Sequence, residues 1–406
     1  MTKADKKTEK KTKTYKSDSP IKVEIVEHNK IDSTYNNYLV LSFSGFGINN
    51  IIMNTIRRVI MELVPNYAFD KKDIDITENT SIYNSDYMRL RLYQFPIFGI
   101  DNDESTIEQY TELEYEANIS TFEKKIEDIN IIEERDLKDK AIKAMNFIMY
   151  VNIHNTSNNI LNVTTKDAKF SYLGKPIKSP YDSPLLIIKL KPGEKFSCTA
   201  HSSLNIGLKG ANYIPTAVCV FSEDNSEDSE DVSNDSNLKE HRLNIESLKQ
   251  ISEKDLIIRA CKIINMKIDK LIDVIKKKIT EYQSEKILDE YNLENKNDSD
   301  TNELNSTDSE TSFREISDDI LEQHKVKGII KIENESHTFG NLISRYIQDH
   351  PTILFGGYKI DHLLVKELTL GYKTDGNDII NVFTDIKKDM QDIFTNIINE
   401  VSKLKI

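Results

Sequence analysis

Two helical segments of this chain share one pattern, and a proline ends each of them. The first is Asn50–Pro65 and the second is His337–Pro351. Proline cannot continue a helix, because it lacks a backbone N–H and its ring clashes with the preceding turn. A strand–helix–strand theme that occurs twice predicts two pseudo-equivalent halves that pack on each other. Such an arrangement is typical of a scaffold more than of an enzyme.

The composition limits the class of protein. The 406 residues leave room for two or three domains, and 38% of them are hydrophobic, enough for a buried core. No apolar run approaches the roughly 20 residues of a membrane span, and the N-terminus carries no signal-like stretch, so we expect a soluble protein made in the cytosol. A net charge of -13 argues against binding nucleic acid phosphates with the whole chain and favours a protein partner.

Motifs for catalysis and metal binding are missing from the sequence. Cys198, Cys219 and Cys261 lie far apart without a CxxC pair, which predicts buried, reduced thiols. None of the eight histidines belongs to an HExxH motif, and no GxSxG or phosphate-binding GxxxxGK[ST] occurs. The sequence therefore predicts no catalytic residue, no cofactor and no bound metal.

Two acidic groupings have a chemical and a structural interpretation. Asp101–Glu112 places acids or serine at four loop positions of a calcium hand, but Thr106 stands where the loop needs glycine. Asp73, Asp75 and Glu78 could form a magnesium or acid–base cluster. Because Asp73 and Asp75 share one face of a predicted strand, a polar outer face explains them more simply. We interpret both groupings as solvated surface.

The first part of the chain alternates between strand and helix patterns. The helix after Gly45–Gly47 carries an apolar stripe at three- and four-residue spacing, with Asn49 or Asn50 as its N-cap and Pro65 as its stop. The predicted strands are Ile21–Glu27, Tyr38–Phe43, Ala68–Ile76 and Met88–Leu92. Further β-type runs follow at Asn146–His154, Leu185–Leu190 and Ala217–Phe221, and they predict a mostly β domain inserted into the first one.

Two long helices are predicted to pair. The first spans Ser252–Tyr282 and the second Asn377–Leu404. The second would be roughly 40 Å long, too long for its stripe to be covered by the small C-terminal unit alone, so the first helix is its expected neighbour. The predicted pairing residues are Ile257, Ile264, Ile268, Leu271, Phe383, Met390, Ile393 and Ile397.

The sequence divides into six regions. Residues 1–20 form a basic tail and 222–240 an acidic loop, and both are predicted to be disordered because they cannot bury apolar surface. Residues 283–320 are predicted to be a linker. Residues 21–98 with 241–282 form one discontinuous domain, 99–221 the insert, and 321–406 the C-terminal domain. Two further strand predictions, Val326–Glu333 and a pair within Tyr358–Tyr372, belong to the C-terminal domain.

Several motifs resemble one known family. Ser44–Gly47 followed by Asn54-Thr-Ile-Arg57-Arg58 looks like the first-helix motif of the bacterial RNA polymerase alpha subunit and of the archaeal and eukaryotic D-like subunits. The runs Ile74–Ser81, Met88–Leu92, Asn162–Asp167 and Ile188–Gly193 are similar to the D-type pattern as well. The C-terminal runs Glu335–Ile343 and Leu354–His362 resemble the small L-type partner.

This resemblance implies a fused D-like and L-like subunit, similar to that of large cytoplasmic DNA viruses. The implied fold is α+β, with two alpha-type dimerisation layers paired in cis and a mostly β insert. The implied function is a non-catalytic assembly platform of a multisubunit DNA-directed RNA polymerase. Its implied partners are the largest and second-largest subunits and other small polymerase subunits, with nucleic acid contacted only through the complex. The implied location is the viral factory in the cytoplasm and the virion.

The same resemblance implies docking residues for the large subunits. They are Asn54, Arg57 and Arg58 on the first helix and Gly340 and Asn341 on the later one. A locally paired or solvated arginine couple is the alternative for Arg57 and Arg58, and close helix packing is the alternative for Gly340. His337 and Thr338 are expected to begin the helix rather than to bind a ligand.

Two departures from the family pattern narrow these implications. The insert lacks the clustered cysteines that hold zinc or an iron–sulfur cluster in many D-type subunits, so no metal is carried over. Lys209–Pro215 keeps only part of another D-type motif.

A pseudo-dimeric scaffold of a different complex is the second interpretation of the function, and an enzyme is the third. Because the fold's usual heterodimer would be satisfied internally, we expect the isolated chain to be monomeric.

Overall fold

The computed structural model describes residues 20–29, 37–98, 100, 102, 104–118, 147–223, 240–297, 326–362, 365–375 and 379–405. Most of the predicted basic tail, acidic loop and linker lies outside these residues. The chain divides into two compact units. The N-terminal unit comprises Ile21–Ile264 and Ile397–Ile406, and the C-terminal unit comprises Asn265–Asn396.

Antiparallel sheets and helices make up both units, as the sequence predicts. The strands are β1 (Lys22–Asn29), β2 (Asn37–Ser44), β3 (Asn66–Asn79), β4 (Ile148–His154), β5 (Leu161–Thr164), β6 (Lys169–Tyr172), β7 (Lys175–Ile177), β8 (Leu186–Leu190), β9 (Lys195–Asn205), β10 (Thr216–Glu223), β11 (His241–Ser247), β12 (Val326–Glu333), β13 (Ile353–His362) and β14 (Val365–Thr374). The helices are α1 (Asn50–Glu62), α2 (Ser85–Tyr93), α3 (Tyr110–Asn118), α4 (Glu253–Asn297), α5 (His337–Asp349) and α6 (Ile379–Lys403). Short 3-10 turns span Glu104–Gln109 and Ala211–Tyr213.

The first sheet of the N-terminal unit has four antiparallel strands in the order β1-β2-β11-β10. Leu39, Leu41 and Phe43 point inward from β2 and are fully buried. The sequence predicts Ala217–Phe221 as part of the insert, whereas β10 pairs with β11 in this sheet, and β11 pairs with β2. An alternating pattern identifies a strand but not the sheet that it joins.

Helix α1 begins at the predicted residue and ends at Glu62, before the predicted stop at Pro65. The side chain of Asn49 accepts hydrogen bonds from the backbone of Ile51 at 2.9 Å and of Ile52 at 3.1 Å, so Asn49 and not Asn50 is the N-cap. Gly45 and Gly47 precede it with φ angles of 115° and 86°, a region that glycine enters without strain. The buried face contains Ile52, Met53, Thr55, Ile56, Val59 and Ile60. It packs against β10 and β11.

A second sheet and a strand pair build the rest of the N-terminal unit. Five strands lie in the order β3-β9-β4-β6-β7, and β5 pairs with β8. Phe147 lies 5.5 Å from Phe170 and 6.0 Å from Phe69 between ring centroids, and all three rings are buried. This aromatic cluster joins β3 to the inserted strands and forms the centre of a continuous apolar core.

The prediction of a strand at Met88–Leu92 was wrong. These residues belong to α2, whose start is capped by Asn84 Oδ1 accepting from the backbone N–H of Tyr87 at 2.7 Å. The alternation of apolar and basic residues indicated a period of two. Only Met88 and Leu92, four residues apart, are fully buried, while Leu90 is 45% exposed, and this is the helical spacing.

The C-terminal unit contains a three-stranded antiparallel sheet in the order β12-β14-β13, with α5 packed against β13 and β14. Helix α5 lies close to the strands because glycines stand at the contact. A Cβ atom on Gly340 would lie 2.4 Å from Leu368 Cδ1, and one on Gly356 would lie 2.2 Å from Ile347 Cγ2. The helix begins at His337, and its N-cap Ser336 makes no side-chain capping bond.

The two long helices contribute residues to both compact units. Within the C-terminal unit, Gln391 Nε2 on α6 donates to Asn265 O at 3.2 Å and to Asp269 Oδ1 at 3.0 Å on α4. Lys387 pairs with Asp269 at 2.6 Å. Within the N-terminal unit, Lys254 Nζ donates to two carbonyls of 402–404. Helix α4 reaches Asn297, beyond the predicted end at Tyr282.

Candidate functional site

A polar face of α1 carries the two arginines. Both are half-buried, and both are held by neighbours on the same helix. Arg57 donates from Nε and Nη2 to Asn54 Oδ1 at 3.2 and 3.0 Å, and its Nη1 lies 3.7 Å from Met61 Sδ. Arg58 forms an ion pair with Glu62, in which the two side chains are 40% and 31% exposed. Local side-chain pairs therefore fix the orientation of both guanidinium groups.

The end of α1 is anchored to the loop after β9. Leu208 donates its backbone N–H to Glu62 O at 3.0 Å, which satisfies a carbonyl at the helix terminus. A Cβ atom on Gly207 would lie 2.0 Å from Met61 O, so only glycine permits this approach. The arginine face thus stands on a helix whose position is fixed at both ends.

A cysteine lies beneath the same helix. Cys219 Sγ on β10 is 3.9 Å from Arg57 O. Burial raises the pKa of this thiol to about 12, although the charge of Arg57 acts in the opposite direction. Burial likewise raises the pKa of Cys198 to about 12 and increases that of Cys261. All three thiols are free and buried, as the sequence predicts, and they are protonated at neutral pH.

The structure separates the two predicted docking residues of α5. Gly340 is buried in the helix–sheet contact and its identity is explained by close packing against Leu368 and Tyr358. Asn341 is exposed on the other side. Of this pair, only Asn341 has a side chain exposed to solvent.

Seven of the eight predicted pairing residues are buried. Seven are at most 4% exposed, namely Ile257, Ile264, Ile268, Leu271, Phe383, Met390 and Ile397. Ile393 is half-buried, whereas the next residue, Phe394, is fully buried. Phe394 lies four residues after Met390 and three before Ile397, so the helical period itself could have identified it.

A buried ion pair was missed by the sequence reasoning. Lys267 Nζ on α4 lies 3.4 Å from Glu335 Oε1, and the two side chains are only 7% and 11% exposed. The ammonium also lies 4.7 Å from the centroid of the Phe339 ring on α5. The sequence does indicate that Lys267 is unusual, because this lysine stands on an apolar stripe, three residues after Ile264 and directly before Ile268. A buried lysine needs an opposite charge or hydrogen-bond acceptors to offset the cost of removing its ammonium from water.

The acidic groupings do not converge on a site in the described part of the chain. Asp75 is exposed, and Glu78 pairs with Lys195 at 3.4 Å on the surface. Asp101 lies outside the described residues, and Thr106 belongs to a 3-10 turn. Among the described residues, no three His, Cys, Asp or Glu side chains are grouped to hold a metal ion.

A protein-family comparison gives the decisive match. Residues 42–268, more than half of the chain, match the model described as the RNA polymerase Rpb3/Rpb11 dimerisation domain. The chain belongs to this family. A second Rpb3/Rpb11 dimerisation domain match covers residues 327–401. The prediction of two dimerisation domains fused in one chain is therefore confirmed, and the two domains contain the antiparallel sheets and long helices described above.

Two viral groups contain similar proteins. The chain is 23% identical over 342 residues to a putative DNA-directed RNA polymerase subunit of Acanthamoeba polyphaga mimivirus, covering 82% of this chain and 81% of that protein. It is 36% identical over 75 residues to the DNA-directed RNA polymerase RPB3-11 homologue of two African swine fever virus isolates, covering 18% of this chain and 20% of those proteins. No helix in the described part of this Rpb3/Rpb11-type chain is long and apolar enough to cross a membrane.

Proposed function

We propose that this chain is the assembly subunit of a multisubunit DNA-directed RNA polymerase of viral type. The observation that carries the proposal is the presence of two Rpb3/Rpb11 dimerisation domains in one chain. The viral relatives, which are named as RNA polymerase subunits, support the same assignment. In this role the chain catalyses no reaction itself, and nucleotidyl transfer belongs to the large subunits of the complex.

Contacts between the two long helices support the proposed cis pairing. Helix α4 begins in the first matched region, which ends at residue 268, and α6 lies mostly in the second. Within the C-terminal unit, Asn265 and Asp269 on α4 contact Gln391 and Lys387 on α6. Seven of the eight proposed pairing residues are buried. Pairing in one chain replaces an encounter between two separate subunits, so its effective concentration is set by the connecting segment.

We assign the docking of the second-largest subunit to Asn54, Arg57 and Arg58. Guanidinium groups present fixed N–H forks that suit carboxylates and carbonyl oxygens of a partner. Asn54 already orients Arg57, which lowers the entropy lost when a partner binds. Arg58 is paired with Glu62 in this chain, so docking there would extend or exchange an existing ion pair.

The exposed Asn341 is the corresponding proposed contact for the largest subunit. Its amide carries both donors and an acceptor, and it stands on a helix whose inner face is fixed by Gly340. Gly340 acts in this proposal through packing alone. Other small polymerase subunits complete the set of partners, and the site of assembly is the cytoplasmic viral factory, with the finished complex entering the virion.

Capture of the large subunits tests the docking proposal. The double variant Arg57→Glu/Arg58→Glu should keep the circular dichroism and melting of the parent chain and lose capture of the second-largest subunit. Arg89→Glu is the matched control, because Arg89 is also on a helix and pairs with Asp86 three residues away. Full capture by the double variant would refute the arginine assignment. Absence of both large subunits from a parent-chain purification would refute the polymerase assignment itself.

A further inference from the structure

The free side of β12 forms one wall of a groove in the C-terminal unit. β12 is the terminal strand of its sheet, so only β14 is hydrogen-bonded to it in the described part of the chain. The other wall is the stretch of α4 from Lys278 to Glu281, and the groove encloses about 490 Å³. This volume lies within the range of ordinary ligand pockets.

Backbone groups of β12 point into the groove. Lys278 Nζ donates to Lys331 O at 2.6 Å, so this carbonyl faces away from β14. Successive residues of an antiparallel strand direct their backbone groups to opposite sides, and Lys327 and Ile329 therefore face the same way as Lys331. The ammonium of Lys278 already bonds the Lys331 carbonyl. The backbone groups of Lys327 and Ile329 are therefore the ones that an incoming strand could bond.

The side chains around the groove combine positive charge with apolar surface. Ile329 is 76% exposed and stands between the exposed Lys327 and Lys331 on the outer face of β12. On the inner face, Ile330 and Tyr372 are 5% and 7% exposed. The outer face of β12 therefore presents an isoleucine between two lysines, and its inner face is apolar.

Two acidic side chains near the groove offset part of this positive charge. Glu281 on α4 lies 3.8 Å from Lys277, and Glu367 on β14 lies 2.7 Å from Lys331. Lys278 adds a further positive charge at the wall opposite β12. Three lysines against one glutamate line the groove itself.

We propose that this groove binds an extended acidic segment of another polypeptide, which joins β12 as a fourth strand. Main-chain hydrogen bonds to Lys327 and Ile329 would provide affinity, as in other cases of strand addition. Specificity would come from the lysines. The first, third and fifth side chains of the incoming strand would lie beside Lys327, Ile329 and Lys331 on the outer face of β12. The segment that fits therefore has acidic residues at its first and fifth positions and apolar residues at the three positions between them. This proposal does not depend on which complex the chain joins.

A peptide titration on the full-length chain tests the proposal. The probe is Glu-Val-Ile-Val-Glu with Gly-Ser flanks, and the control peptide carries lysine in place of both glutamates. Binding is followed by methyl NMR of isoleucine, because Ile279, Ile329 and Ile330 line the groove. The acidic peptide should shift these three signals, its affinity should fall with salt, and the basic peptide should leave them unchanged.

Two variants separate charge from backbone contributions. Lys327→Glu/Lys331→Glu should weaken binding by about tenfold, since two exposed ion pairs are lost. Lys166→Glu/Lys189→Glu, at exposed lysines of the insert, should leave it unchanged. Ile329→Pro removes one backbone N–H that faces the groove and should abolish binding, while an edge strand tolerates proline.

Four results would overturn the proposal. Equal binding of acidic and basic peptides would exclude charge recognition, and unchanged binding in both the Lys327→Glu/Lys331→Glu and proline variants would exclude the site. Binding of neither peptide would mean that the lysines only protect an exposed edge from self-association. A self-associated chain that Glu24→Lys/Glu27→Lys converts to monomer would assign the groove to β1 of a second copy.

Discussion

The buried pair between Lys267 and Glu335 makes a quantitative prediction about the C-terminal unit. Replacing Lys267 with methionine keeps a long apolar stem but leaves the carboxylate of Glu335 without its closest cation. Side-chain exposures of 7% and 11% mean that both groups are largely shielded from bulk water. Removing one partner of such a pair costs about 3–5 kcal/mol, and loss of the contact to Phe339 adds to this cost. We therefore expect Lys267→Met to destabilise the unit by about 3–5 kcal/mol.

The expected cost can be separated from a general loss of packing. The double variant Lys267→Met/Glu335→Gln removes both charges and should recover most of the lost stability, because no uncompensated charge remains buried. Lys387→Met is the matched control, since Lys387 also links the two long helices to each other through Asp269 but its side chain is 25% exposed and that of Asp269 48% exposed. This control should cost no more than about 1 kcal/mol.

Native-state hydrogen exchange of peptides from α5 and β14 provides the assay, because it reports the opening free energy of this unit separately from the rest of the chain. The reasoning would be refuted by equal costs for Lys267→Met and Lys387→Met. It would also be refuted by a double variant that is as unstable as the single one.

Three further predictions concern packing, thiol reactivity and oligomeric state. Gly340→Ala should cost about 1–3 kcal/mol in thermal or urea denaturation, whereas Gly371→Ala, whose added Cβ meets no atom within 4 Å, should change stability much less; equal effects would contradict the packing role. The thiols of Cys219 and Cys261 should resist alkylation at pH 8 until the chain unfolds, because burial raises both pKa values, and rapid labelling of the native chain would contradict this. Light scattering should give a monomer, and a stable homodimer would contradict pairing in cis.

Local patterns in the sequence predicted most of the helices. The N-cap of α1 at Asn49 and the stop at Pro65 are signals confined to a few residues, and the apolar stripes of α4 and α6 repeat over many turns. The five residues Met88–Leu92 were too few to distinguish a period of two from one of 3.6, and they were assigned to the wrong element. Long patterns average out such ambiguity, and short ones do not.

Features that depend on residues far apart in the sequence were harder to predict from the sequence. The sheet that β10 joins depends on its neighbour β11, which also pairs with β2 near the start of the chain, and no alternating pattern encodes that pairing. From the sequence, Gly340 could be explained equally well by docking or by close packing. The structure decides between them, because atoms of Leu368 and Tyr358 occupy the space that a side chain at position 340 would need. Lys267 could have been noticed as a charge on an apolar stripe, but its partner Glu335 is 68 positions away in the sequence.

The long helices have a consequence for the order in which this protein can fold. The first family match ends at residue 268, inside α4, and the second ends at residue 401, inside α6. Yet Ile397–Ile406 belongs to the same compact unit as Ile21–Ile264, where Lys254 donates to the carbonyls of Ser402 and Leu404. A ribosome that has finished the first domain has therefore not yet made the residues that complete its unit. The N-terminal unit is therefore complete only when the end of α6 has been made.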